Sequence, residues 1–319
     1  MNIYAAPLIA LVWAVLLTPV AIPLLIKMKF GQRIREIGPS WHKTKNGTPT
    51  MGGVIIITGV IAALVPFAGE MSHSARFALF CAVGFGIIGF ADDFIKVCLK
   101  RNLGLRAWEK LSLQILAAVI FVFGGLRTGA LSTAVAVPFT GMTVELSWLY
   151  IPLAVLWILY TVNSVNLTDG IDGLAASVTI AVIVFLGVAD ASPASPLSVF
   201  CYTVAGALAG FLVYNKYPAK VFMGDTGSLF LGGAVAAAAL LQGNPLIVIA
   251  VGVIYAAETL SVVAQVTSFK LTGKRLFKMS PIHHHFEMSG WSEKKITAVF
   301  TAITVVMGIL AFFAERLTR

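Results

Sequence analysis

The sequence predicts an all-α polytopic membrane protein with ten transmembrane helices, and three observations carry that expectation. Of its 319 residues, 58% are hydrophobic and only 12% are charged, against about 25% charged in a soluble domain. The mean hydropathy is +0.91. Apolar runs near 20 residues, the length that crosses a hydrocarbon layer, recur from one end to the other. The surplus apolar surface therefore faces lipid. No period-2 series of short strands runs through the chain, which argues against an outer-membrane barrel.

The spans are expected at 3–26, 52–68, 76–94, 109–126, 148–164, 172–189, 197–214, 226–242, 246–268 and 296–314. The first has no basic residue before it and is longer than a secretory core, so it reads as a retained span rather than a signal. The span 226–242 is short and rich in small residues (Gly232-Gly233-Ala234, then Ala236 to Ala239), which permits close helix packing. Between the fourth and fifth spans, 133–138 and 142–146 flank a Thr140-Gly141 turn, the pattern of a small β-hairpin. Cys81, Cys98 and Cys201 lack metal-type spacing and read as packing residues. No internal repeat is visible.

Ten spans put both termini on one side, and the positive-inside rule decides which. The loops 27–51, 95–110, 215–225 and 269–295 carry 19 of the 23 lysines and arginines. Those loops are expected in the cytoplasm, with both termini and the hairpin outside, on the periplasmic face. The net charge of +9 thus reflects topology rather than nucleic-acid binding.

Four polar clusters punctuate the apolar chain: Ala91-Asp92-Asp93-Phe94, Asn166 to Gly173 with Asp169 and Asp172, Phe222 to Ser228 with Asp225, and Pro281 to Glu287 with His283, His284 and His285. Carboxylates in so apolar a protein are costly unless paired, hydrated or bound to a cation. The orientation places all four clusters on the cytoplasmic face, where chance would scatter them. Magnesium wants hard oxygen ligands and shares its shell with substrate phosphates, and Asp92, Asp93 and Asp225 suit it. Gly170, Gly173, Gly224 and Gly227 let backbone approach a ligand closely. Helix N-termini beside the acids favour anions.

Each cluster also has a plainer reading. Asp92-Asp93 could end a helix in water, and Asp169, Asp172 and Asp225 could cap helices. Adjacent histidines do not easily face one zinc ion, and no cysteine accompanies them. Contact with phosphate or a carboxylate suits them better. Glu258, deep in the ninth span, is as readily a packing residue as a functional one. Lys43, Lys45, Lys96 and Lys110 are candidate phosphate contacts, though topology alone accounts for most of them.

The stretches Lys45 to Gly53, Gly89 to Asp93, Asn163 to Gly173, Asn215 to Ser228 and Pro281 to Glu287 resemble, in this order, the polyprenyl-phosphate N-acetylhexosamine-1-phosphate transferases. The His-His-His-Phe-Glu stretch is the most specific and resembles the muramoyl-pentapeptide branch. The resemblance implies one integral-membrane transferase domain over 1–319. It implies that undecaprenyl phosphate attacks the β-phosphate of UDP-N-acetylmuramoyl-pentapeptide, releasing UMP and forming lipid I. Mg²⁺ is the implied cofactor and a homodimer the implied assembly. By motif match Asp225 is a metal ligand, with Asp92 and Asp93 beside it. Asp92 is the implied base or nucleophile, Asp93 its essential neighbour, and His283 a further catalytic residue. Lys45, Asn166, Asp169, Gly170, Asp172, Asn215, Phe222, Gln265, His284 and His285 are the implied substrate contacts.

Two rival readings stay distinguishable. The same chemistry on UDP-N-acetylglucosamine would start another surface polymer. An ion-coupled transporter would hold its acids near the midplane at broken helices, whereas only Glu258 is deep here.

Overall fold

The computed structural model describes residues 3–27, 47–99, 104–190, 192 and 194–318. Twelve α-helices lie among them: α1 (Ala6–Lys27), α2 (Gly53–Leu64), α3 (His73–Val97), α4 (Ala107–Arg127), α5 (Tyr150–Thr168), α6 (Leu174–Ala189), α7 (Pro196–Asn215), α8 (Gly224–Leu241), α9 (Ile247–Val251), α10 (Val253–Thr272), α11 (Ile282–Glu287) and α12 (Glu293–Thr318). The strands β1 (Ala134–Ala136) and β2 (Thr143–Glu145) pair antiparallel, with Val135 opposite Val144. The hairpin expected from the sequence is present.

Among the described residues, seven helices are long and apolar enough to cross a membrane: those at Ile3–Lys27, His73–Val97, Ala107–Arg127, Ser147–Thr168, Pro196–Asn215, Gly224–Leu241 and Glu293–Thr318. The runs at Gly53–Phe67 and Leu174–Ala189 form shorter apolar helices. The expected span 246–268 is not one uninterrupted helix. It breaks at Gly252, which has φ −90° and ψ 37°, between α9 and α10. A Cβ at Gly252 would lie 2.7 Å from the Val248 carbonyl oxygen, so the tight break needs glycine. Beyond it α10 carries Glu258, Ser261, Gln265, Ser268 and Lys270, which dilute its apolar character.

Local chemistry starts several helices. Ser72 accepts from Ala75 N at 3.1 Å at the head of α3, and Ser195 accepts from Ser198 N at 3.0 Å at the head of α7, each satisfying an otherwise orphan amide. Pro196 opens α7, where its missing N–H costs nothing.

The packing is organised around α8. Its residues from Thr226 to Leu240 are all buried. Gly232 meets the backbone of Val162 on α5, and Gly233 meets Ala82 and Phe85 on α3. Small residues let α3 and α5 approach on both sides. The periphery is the opposite case. Leu8, Leu16 and Val20 on α1, Leu116, Ile120 and Phe123 on α4, and Val306, Ile309 and Phe313 on α12 are exposed, and together they give the chain the lipid-facing surface of an integral membrane protein.

The two ends of α8 differ. At its C-terminal end the hairpin docks, with Ala136 N donating to Gly243 O at 2.8 Å. Glu315 on α12 joins the same end, accepting from Phe139 N at 3.3 Å and Asn244 Nδ2 at 3.4 Å. Asp225 lies at the other end, about 27 Å away for 18 residues at 1.5 Å each.

Candidate active site

The site is built where the N-terminus of α8 is wedged between α2 and α3. Residues 49–53 run beside 222–223: Phe222 N donates to Pro49 O, Gly52 N to Phe222 O and Gly53 N to Met223 O, each at 2.8 Å. Gly53 rests on Gly227, and Gly89 of α3 rests on the Asp225 carbonyl; a Cβ at either glycine would overlap that backbone. Gly224 turns the chain into the helix at φ +69°.

Asp93 closes the end of α8. Its carboxylate accepts from Thr226 N at 2.8 Å, Thr226 Oγ1 at 2.7 Å and Asp225 N at 3.2 Å. It therefore satisfies orphan amides and complements the helix dipole. The capping role weighed in the sequence for Asp225 is carried here by Asp93, from another helix.

Beside this cap lies a cluster of two carboxylates and two ammoniums. Lys96 Nζ is 2.7 Å from Asp92 Oδ2 and 2.5 Å from Asp225 Oδ2. Lys110 Nζ is 3.4 Å and 3.0 Å from the same two atoms. The second oxygen of Asp92 accepts from Leu105 N at 2.7 Å. The second oxygen of Asp225 accepts from Asn166 Nδ2 at 2.7 Å, and that amide also donates to Ser228 Oγ at 2.7 Å. Four helices thus hold one electrostatically balanced group. Among the described residues, no three His, Cys, Asp or Glu side chains form a ready metal cage. Asp92 and Asp225 are the donor pair a small hard cation could use, since such ions take one or two carboxylates and complete the shell with water and substrate phosphate.

A second layer flanks the cluster. α5 ends at Thr168, and the loop 169–173 leads into α6 through Gly173 at φ +74°. Asp172 is buried and accepts from Ala219 N at 2.8 Å, while its own N–H donates to Glu293 at 3.2 Å. Asn215 Nδ2 donates to Val221 O at 2.9 Å. Both residues brace the 215–223 segment that delivers Asp225. Burial, then the charges of Asp225, Asp93 and Asp172, push the Asp169 carboxyl up to about 8 from 3.8. Between those two values the folded chain keeps a proton that the unfolded chain has released, so stability falls as pH rises through that window. In chelator, the melting temperature of Asp169→Asn in detergent should fall less than that of the unmodified chain between pH 5 and 8.

The three histidines have three different settings. His283 Nδ1 lies 3.0 Å from Glu258 Oε2, and both residues are fully buried. The ring abuts Gly170, where a Cβ would overlap Nε2. His284 Nδ1 lies 2.6 Å from Glu287 Oε2. His285 Nδ1 accepts from Lys278 N at 3.2 Å. Gln265 binds the backbone of the same loop, accepting from Leu276 N at 2.9 Å and Phe277 N at 2.8 Å and donating to Phe277 O at 3.1 Å. His285 and Gln265 therefore shape the 274–278 loop. Phe222 is half-buried beside the cap. Lys45 lies outside the described residues.

The structure brings Asp92, Asp93, Asn166 and Asp225 together directly, with Gly170 on the adjoining loop and His283 of α11 packed against it. It assigns Lys96 and Lys110 to the centre of the cluster, where the sequence offered them only among several basic candidates. Glu258 gains a partner in His283. Chemically, ammoniums, and paired carboxylates that could hold a hard cation, can bind a phosphorylated ligand and neutralise charge during phosphoryl transfer.

Residues 75–243 match the family model described as glycosyl transferase family 4. Residues 45–57 match the signature described as phospho-N-acetylmuramoyl-pentapeptide-transferase signature 1, the segment whose residues 49–53 pair with 222–223. Proteins named phospho-N-acetylmuramoyl-pentapeptide-transferase are close in sequence. The chain is 50% identical to that of Clostridium novyi over 308 residues, covering 96% of this chain and 95% of the relative. It is 49% identical to that of Clostridium kluyveri over 308 residues, covering 96% and 97%. It is 48% identical to that of Clostridium perfringens over 312 residues, covering 98% and 96%.

Proposed function

From the premise that this chain belongs to glycosyl transferase family 4, among the phospho-N-acetylmuramoyl-pentapeptide-transferases, we propose that it makes lipid I. It transfers phospho-N-acetylmuramoyl-pentapeptide from UDP-N-acetylmuramoyl-pentapeptide to undecaprenyl phosphate and releases UMP, a membrane step of peptidoglycan synthesis. The observation that supports this best is the Asp92–Lys96–Lys110–Asp225 cluster at the N-terminus of α8. Phosphoryl transfer asks a protein for in-line positioning and neutralised charge rather than covalent chemistry, and this cluster supplies the charged groups.

The lipid phosphate must meet a water-soluble nucleotide, so the reaction belongs at a membrane–water interface. In this reading all ten apolar segments cross the bacterial plasma membrane, both termini lie outside, and the basic loops and the cluster face the cytoplasm. The hairpin sits outside, in keeping with its place at the opposite end of α8. One domain spans 1–319, and a second copy completes a homodimer.

The cofactor in this reading is Mg²⁺, held by Asp225 with Asp92, while Asp93 acts through the helix it caps. When bound, the ion neutralises the pyrophosphate and polarises its phosphorus–oxygen bonds. Lys110 adds fixed positive charge beside it. Asp92 orients the lipid phosphate: a phosphate monoester has its second pKa near 6, so little proton remains to be removed at pH 7. Asn166, the 169–173 loop with Asp169, Gly170 and Asp172, and Asn215, Phe222, Gln265, His284, His285 and Lys45 frame the nucleotide-sugar. His283, buried on Glu258, acts through the 169–173 loop that its ring supports at Gly170.

UMP release by the purified chain is the test, with undecaprenyl phosphate, Mg²⁺ and either UDP-N-acetylmuramoyl-pentapeptide or UDP-N-acetylglucosamine. Lipid-dependent, chelator-sensitive release from the muramoyl substrate alone is expected. Release from the glucosamine substrate alone would keep the family and overturn the substrate. Glu315→Gln, at the far end of α8, keeps an acceptor oxygen for Phe139 N and should hold turnover within about twofold, as remote surface changes do.

A further inference from the structure

The cluster's oxygens are unequally engaged. Asp92 Oδ1 is held by the Leu105 amide, and Asp225 Oδ1 by Asn166. The two remaining oxygens, Asp92 Oδ2 and Asp225 Oδ2, meet both lysines, with Lys96 Nζ the nearer at 2.7 and 2.5 Å against 3.4 and 3.0 Å for Lys110 Nζ. We propose that Lys96 is a resident counter-ion at the cation position, which a divalent ion displaces when it binds. The proposal rests on the reading that Asp225 ligates the metal.

Three arguments carry it. First, two carboxylates this close, one of them nearly buried, repel each other strongly unless a cation lies between them. The two lysines match the two acids in charge, as carboxylates in so apolar a protein require. Second, a divalent ion on Asp225 Oδ2 would lie nearer to Lys96, at 2.5 Å from that oxygen, than to Lys110, at 3.0 Å, and cations repel more strongly the closer they are. Third, the two lysines differ. The Lys96 side chain is 33% exposed and that of Lys110 19%, and Lys110 makes the longer contacts. Lys96, on a flexible four-carbon stem, is the one free to swing toward water. Once displaced it stays tethered one turn from Asp92, within reach of a phosphate that the ion brings.

The experiment measures Mn²⁺ binding to the full-length protein in detergent, without substrate, by the paramagnetic resonance of free Mn²⁺. Lys96→Gln should bind Mn²⁺ at least tenfold more tightly than the unmodified chain, Lys110→Gln should gain less, and Asp225→Asn should lose binding. If Asp225→Asn loses binding but Lys96→Gln binds no more tightly, the metal assignment stands and the exchange is wrong. If binding survives Asp225→Asn, the metal assignment falls and the exchange with it. A second readout needs no variant: acetylation of Lys96, followed by mass spectrometry, should accelerate with Mn²⁺ relative to Lys216. An unchanged ratio would overturn the proposal even if Lys96→Gln failed to fold.

Discussion

Replacing Asp225 by Asn should lower UMP release by at least about a hundredfold, the range seen when one group that stabilises transition-state charge is removed, while expression and detergent stability stay near those of the unmodified chain. The expectation follows from where the charge sits. Asp225 Oδ2 receives both lysines and Oδ1 receives Asn166, so this one carboxylate organises α3, α4 and α5 around the head of α8. Asparagine keeps the shape and one acceptor oxygen, so the packing of α8 survives. It removes the anionic charge that a hard cation requires. Turnover within a few-fold of the unmodified chain at saturating Mg²⁺ would show that the metal assignment is wrong.

The largest effect on stability is expected from a methyl group. In Gly89→Ala the new Cβ would be driven into the Asp225 carbonyl and the Thr226 amide, which are backbone atoms. Neither a rotamer change nor a flexible side chain can relieve that overlap, so α3 and α8 must separate. A cost of about 2–3 kcal/mol is expected from overpacking, read as a lower melting temperature in detergent together with lost activity. Gly84, on the same helix, is the control. A Cβ there meets open space, so Gly84→Ala should gain about 0.5–1 kcal/mol from helix propensity. Equal behaviour of the two variants would mean that the α3–α8 approach does not depend on Gly89.

What the sequence made legible follows from how local each signal is. Apolar runs and the Thr140-Gly141 turn are read within about 20 residues, and helices and hairpin appear where those signals lie. The acidic clusters stood out because carboxylates are rare in so apolar a chain. Their division of labour was hidden, because it depends on partners far away in sequence. Lys96 and Asp225 are 129 positions apart, and Asp93 and Thr226 are 133 apart. Nothing near Asp93 marks it as the cap of a helix that starts so much later. Glu258 and His283 are 25 apart, and although each stood out in the sequence, their pairing shows only once α11 folds back on α10. The interruption at Gly252 was hidden for another reason: glycine within an apolar run is common in membrane helices, and only the backbone shows which one breaks the helix.

The burial of α8 on every side has a consequence for the bilayer. Membranes differ in thickness, and a spanning helix that touches lipid answers a mismatch by tilting or bending. In this protein such strain falls on α1, α4 and α12, whose outer faces carry the exposed apolar side chains. The helix that presents Asp225 is shielded from it by α3 and α5. The position of Asp225 is thereby insulated from the mechanical state of the surrounding lipid, whereas Lys110 rides on α4, one of the helices that lipid touches.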